Sequence, residues 1–130
     1  MFKPGPSQET TKQRGDAAEA RALAYLLGQG LRLVRRNYRV ARGPSARGGE
    51  VDLIMRAADG TLVFVEVRAR ASASHGGAAA SVTRPKQRRV IYAAQHYLQT
   101  LPSWPPCRFD VVVVEGDRIE WLPAAFDAGG

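Results

Sequence analysis

The sequence predicts an α/β protein: a mixed central sheet flanked by helices, with elements in the order α-β-β-β-α-β-β. Two observations carry this. Segments 16–27 and 83–100 place apolar residues at helical spacing, whereas five shorter segments gather Val, Ile, Leu, Phe and Tyr between turn signals. Helices placed before and between runs of strands imply a sheet covered by them. A length of 130 residues is enough for one domain with a real core. Residues 1–13, polar with two prolines, read as a flexible tail, and residues 14–127 as a single domain.

The elements follow in order. Asp16 opens a helix that runs to about Leu27, with Glu19 three residues on in a near relative of the capping box. Gly28 or Gly30 ends it. Leu31 to Val40 suits a strand, although it carries four arginines. ARGPSARGG (41–49) reads as a flexible basic loop. Two strands follow, Glu50–Arg56 and Leu62–Ala69. ASASHGGAAAS (71–81) is low in complexity, and His75 within it reads as a solvated loop residue. Thr83 caps a second helix, with Pro85 tolerated in its first turn. Gln87, Val90, Ile91, Ala94, Tyr97, Leu98 and Leu101 share one face of it. After PSWPP, FDVVVV (109–114) reads as a buried strand and Arg118–Leu122 as its hairpin partner across EGD.

The charge is unusual. Nineteen Lys and Arg against twelve Asp and Glu give a net +7. From Arg14 to Arg108 there are 16 basic and 6 acidic residues, and from Phe109 onward one and five. A basic excess on the body of the domain suits a surface that meets nucleic acid phosphates, with a solubilising surface as the alternative. The 16 arginines against 3 lysines suit bidentate phosphate contacts. Cys107, the only cysteine, excludes an internal disulfide and a cysteine-based zinc site, and is expected to be a buried small hydrophobe. No segment resembles a signal peptide or reaches membrane-spanning length, so a soluble cytoplasmic protein without a membrane partner is expected. Trp104 and Trp121 are read as packing residues, with base stacking the alternative.

Within the central hairpin, acids interrupt the apolar pattern. The turn Ala58-Asp59-Gly60 has the form of a three-residue loop ending in glycine, a type I turn plus bulge. That register pairs Ala57 with Thr61, and so sets Asp52 opposite Glu66 and Glu50 opposite Arg68. Directly opposed side chains have Cβ atoms about 4.5–5.5 Å apart, and like charges there are unfavourable. One of two such carboxylates would have its pKa raised. A hard divalent cation removes the conflict, since one or two carboxylates with waters form a typical Mg²⁺ site. The alternative is an exposed face with a Glu50–Arg68 pair and two tolerated acids. Glu19 lies on the apolar stripe of the first helix, so a packed helix points it inward; a capping role at the helix start competes.

These residues resemble a known pattern. GEVDLI (49–54) followed by VFVEVRAR (63–70) resembles the PD-(D/E)xK nuclease core. The chain as a whole resembles the YraN-like family, related to archaeal Holliday-junction resolvases, through AEARALAYL (18–26), NYR (37–39), VTRPKQRR (82–89), HYL (96–98) and CRFDVV (107–112). The resemblance implies a restriction-endonuclease-like fold and metal-dependent phosphodiester hydrolysis with Mg²⁺ or Mn²⁺, on DNA, with branched DNA among the candidate substrates. It implies Asp52 and Glu66 as metal ligands, the Val67 carbonyl as a third, and Glu19 as a further acid near the metal. Arg68 stands where the pattern has a lysine that positions or activates water. Arginine keeps its charge and cannot accept the water's proton. Ala18 replaces a usual glycine, and the loop from Val40 to Gly48 is long, with Arg42 and Arg47 as candidate phosphate contacts.

Lys86, at the start of the second helix, could swing toward the acids and serve as the missing lysine. Lys86, Arg88 and Arg89 otherwise read as a phosphate-binding cluster, or as a merely solvated helix start. Two functions therefore stand side by side: a metal-dependent endonuclease, and a nuclease-fold binding module without efficient chemistry. A protein with no nucleic acid partner would leave the acid pair and the charge distribution unexplained. Resolvase relatives act as dimers, which leaves a homodimer open.

Overall fold

A computed structural model describes residues 10–41, 48–70 and 82–128. Arg42, Arg47 and His75 lie outside the described residues. The first helix, α1 (Thr11–Gly28), begins five residues before the expected Asp16. The reason is a complete capping box upstream. The Gln13 amide donates to Thr10 Oγ1 at 3.0 Å, and the Thr10 amide donates to Gln13 Oε1 at 2.8 Å. Asp16 instead pairs with Lys12 one turn earlier, 3.0 Å away on the exposed face.

The strands are β1 (Arg32–Val40), β2 (Gly49–Arg56), β3 (Leu62–Arg70), β4 (Cys107–Glu115) and β5 (Arg118–Phe126), with α2 (Arg84–Leu98) between β3 and β4. The element order is the expected one. The five strands lie in the sheet in sequence order. β1–β2, β2–β3 and β4–β5 are antiparallel, and β3–β4, joined through α2, is parallel. The sheet is therefore mixed, consistent with a restriction-endonuclease-like fold.

The helices cover opposite faces. Ala18, Ala22 and Leu26 of α1 pack with Leu53, Met55, Val63, Val65, Val112 and Val114. Val90, Ala93, Ala94 and Leu98 of α2 pack with Val51, Ile54, Leu62, Phe64 and Phe109. Alternate residues of each strand feed alternate faces, as a pleated strand dictates. On one side the fit is backbone to backbone. A Cβ at Gly49 would lie 2.5 Å from the Arg89 carbonyl oxygen and 2.8 Å from the Ala93 nitrogen. Only glycine lets α2 settle onto the start of β2. Gly49→Ala is expected to destabilise the fold by about 1–3 kcal/mol through overpacking, read as a lower midpoint in urea unfolding.

β5 extends to Phe126 rather than stopping at Leu122, and its turn is two residues, since Glu115 pairs with Arg118. Asp110 explains the extension. It is fully buried, and its carboxylate accepts from Arg108 Nε (3.0 Å), Trp121 Nε1 (2.9 Å) and the Ala124 amide (2.9 Å). The last bond holds Ala124 at φ +51 beside the irregularity between Phe109 and Val111. Trp121 therefore packs, edge-on to Tyr25, while Trp104 is 62% exposed. Cys107 is exposed, contrary to expectation. It begins β4 opposite Leu62, at the end of the sheet. No helix among the described residues is long and apolar enough to cross a membrane.

Candidate functional site

The expected hairpin register is present at its closed end. The Ala57 amide donates to the Thr61 carbonyl at 2.9 Å, and Arg56–Leu62, Met55–Val63, Ile54–Phe64 and Leu53–Val65 pair in sequence. Hydrogen-bonded rungs recur at every second residue of an antiparallel ladder, so the rung after Leu53–Val65 would join Val51 to Val67. The ladder stops before it. The Val67 amide donates instead to Asp52 Oδ2 at 2.8 Å. A residue's N–H and C=O lie on the same edge of a strand, so the Val67 carbonyl faces the same opening.

β2 itself turns over at this point. Leu53 belongs to the α1 face and Val51 to the α2 face, although two residues apart they should share one. β1 does the same beside it: Arg36 reaches toward α1, Tyr38 packs under α2, and Asn37 between them has φ +51. Asp52 sits at the switch and is thereby brought close to acids on both sides. On the α1 side it shares a groove with Glu19, Asn37, Arg39 and Val67. On the other it meets Glu66, which is 6% exposed.

The electrostatics follow. Burial, then the charge of Glu66, push Asp52 up to about 8, against the lowering effect of the Val67 amide. Burial, then the charge of Asp52, also raise Glu19, while Arg36 and Asn37 oppose the shift. Arg36 Nη2 lies 3.4 Å from Glu19 Oε1. Glu19 stands in the third turn of α1, so the capping reading of this residue is overturned.

The cation beside the acid pair comes from α2. Lys86 Nζ donates to Glu66 Oε2 at 3.4 Å. The expected Glu50–Arg68 pair does not form: the ladder has ended, and Glu50 binds Arg39 directly across on β1 at 3.2 Å. Arg68 is half-buried, and its Nε has no partner among the described residues. Arg88 is exposed. Arg89 is half-buried and lines a shallow recess with Arg39, Gly49 and Glu50.

Among the described residues no group of three or more acids, histidines or cysteines forms a metal cage. The donors at the opening are hard oxygens: two carboxylates and the Val67 backbone carbonyl. That set fits Mg²⁺ or Mn²⁺, which take few protein ligands and fill the remaining positions with water and phosphate oxygens. Sequence reasoning missed Arg36, Asn37 and Arg39. Asn37 left a signal, an asparagine inside a β-rich run, since Asn is depleted in strands and tolerates positive φ.

A family model described as "Uncharacterised protein family UPF0102" matches residues 18–114, a span that holds every candidate site residue from Glu19 to Arg89. The chain is similar to a UPF0102 protein of Methylibium petroleiphilum, 66% identical over 119 residues, covering 92% of this chain and 98% of that one. It is 61% identical over 132 residues to one from Polaromonas naphthalenivorans, covering 95% and 84%. With one from Albidiferax ferrireducens the identity is 64% over 119 residues, covering 92% and 91%.

Proposed function

We propose that this chain, which belongs to the uncharacterised protein family UPF0102, the YraN family of PD-(D/E)xK nuclease-like proteins, is a metal-dependent endonuclease that hydrolyses DNA phosphodiesters. The observation that carries the reading is the meeting of Asp52 and Glu66 beside the Val67 carbonyl, where the β2–β3 ladder opens. Two carboxylates held together in a largely buried opening repel when both are ionised, and a bound cation removes that repulsion. Asp52, Glu66 and the Val67 carbonyl would hold Mg²⁺ or Mn²⁺. When bound, the ion makes water a stronger acid and offsets charge on the phosphate.

The remaining work falls to the chain's own groups. Glu19, in the groove with Asp52, sets the negative potential on the α1 side. Lys86 and Arg68 supply positive charge on the other, where the phosphate gathers negative charge as water adds. The water oxygen bonds to phosphorus, the bond to the departing sugar oxygen breaks, and that oxygen ends as a hydroxyl. Lys86, held beside Glu66, is the side chain there that can exchange a proton with the attacking water, whereas Arg68 can only orient or stabilise. Arg88 and Arg89 continue the basic surface along α2.

A second reading has one observation in its favour. Arg68 occupies the lysine position, which suits a nuclease-fold protein that binds nucleic acid without efficient chemistry. A cleavage panel separates the two. Pure protein with Mg²⁺ or Mn²⁺ is expected to cut at least one of linear, flapped, single-stranded and four-way DNA. Asp52→Ala, Glu66→Ala and chelation are each expected to abolish cutting. Salt-dependent DNA binding without cleavage of any form, unchanged by Asp52→Ala, would hand the case to the binding module.

A further inference from the structure

β1 is an edge strand, and an edge strand with exposed apolar residues invites pairing with another chain. Leu33 and Val34 are 40% and 37% exposed on it. Four of its nine residues are arginine and none is acidic. Two of the four are answered internally, Arg36 by Glu19 and Arg39 by Glu50. The other two are not. Arg32 and Arg35 are exposed, and among the described residues neither has an acid within ion-pair distance. Arg32 is moreover placed directly opposite Arg56 on β2, a like-charge rung that works against the sheet. Arg35 rests over the Tyr38 ring at 5.0 Å, so its guanidinium is held against the strand.

Resting on the nucleic acid reading above, we propose that Arg32, Arg35 and Arg56 form a phosphate-binding edge that carries the nucleic acid backbone toward the Asp52–Glu66 opening. The strand leads there: Asn37 and Arg39 of β1 line the groove that contains Asp52. Arg32 lies five residues beyond Asn37, about 16 Å along an extended strand. A polyanion answers the uncompensated charge and relieves the Arg32–Arg56 rung. A second copy of β1 at the same edge would do the reverse, setting four arginines against four.

The test is the salt dependence of binding to a labelled duplex in chelator, where metal-dependent cleavage is absent. Arg32→Glu/Arg35→Glu is expected to weaken binding more than tenfold at low salt and to reduce the slope of log K against log salt by about 2, near 0.9 per lost contact. Arg32→Lys/Arg35→Lys keeps the charge and should keep the slope. Arg118→Glu, on the opposite edge strand, should change the slope by less than half a contact. Wild-type binding with β1 variants no weaker than Arg118→Glu overturns the edge assignment and leaves the nuclease reading intact. A dimer in solution that dissociates on Arg32→Glu/Arg35→Glu, without loss of DNA affinity, likewise overturns it. Failure of the wild type to bind any DNA at low salt removes the nucleic acid reading itself.

Discussion

Metal-free protein carrying Asp52→Asn is expected to be more stable than wild type at pH 8, and to lose the response to Mg²⁺ that the wild type has. The sign follows from linkage. Asp52 rises from 3.8 to about 8 on folding because burial and the Glu66 charge disfavour its ionised form. Between those values the folded state holds a proton that the unfolded state has released. The stabilising contribution is complete below the unfolded value, falls as pH climbs, and is gone above about 8. Asparagine is neutral at every pH and can still accept the Val67 amide, so it avoids the loss. The gain at pH 8 should be on the order of 3 kcal/mol, or about 10 °C in the unfolding midpoint by calorimetry. At pH 4 the two proteins should nearly coincide. A cation reverses the situation, because it binds the carboxylate and displaces the proton. The Mg²⁺-induced rise in the wild-type midpoint should therefore grow from pH 6 to pH 8.5 and disappear in Asp52→Asn. If Asp52→Asn instead lowers stability at pH 8, the ionised carboxylate is favourable where it stands, and no cation is needed to explain it.

The acid pair was legible because a short turn fixes a register. Ala58-Asp59-Gly60 closes the hairpin as its residue types require, and the rungs from Arg56–Leu62 to Leu53–Val65 follow. That register stops being informative where pairing stops. Asp52 and Glu66 still meet, but through the kink in β2 and the Val67 amide rather than as a rung, and Glu50 turns to Arg39 on a strand outside the hairpin. Turn chemistry is local, whereas the choice of partner for an acid beyond the last rung depends on which third strand arrives. Thr10 and Gln13 state the start of α1 plainly, three residues apart, but a polar proline-bearing flank drew the boundary toward Asp16. Asp110 was hidden in a run of valines. Its role depends on Arg108, Trp121 and Ala124, which only the folded β4–β5 pair brings to one carboxylate. Lys86 was visible as a residue that could reach the acids. Its reach depends on Gly49, because the close seat of α2 on β2 delivers the helix start to Glu66.

Lys86→Ala is expected to lower the rate of metal-dependent cleavage by about 10²–10⁴-fold, the usual worth of a positioned proton-transfer group. Arg68→Lys should leave the rate within about tenfold of wild type. The asymmetry follows from chemistry and from position. Both side chains are cationic, but only lysine can shed its proton at all, and of the two only Lys86 pairs with the acids. A purely electrostatic or structural Lys86 is distinguished by the variant that keeps its charge. Lys86→Arg, which restores charge but not proton release, should remain slow. Duplex binding by Lys86→Ala in chelator should fall by no more than about tenfold, as for one lost phosphate contact, so the kinetic defect exceeds the binding defect. The opposite pair of results, a gain in Arg68→Lys and no loss in Lys86→Ala, would return the water-activating role to β3. It would also make the 3.4 Å contact with Glu66 an ordinary ion pair at a helix start.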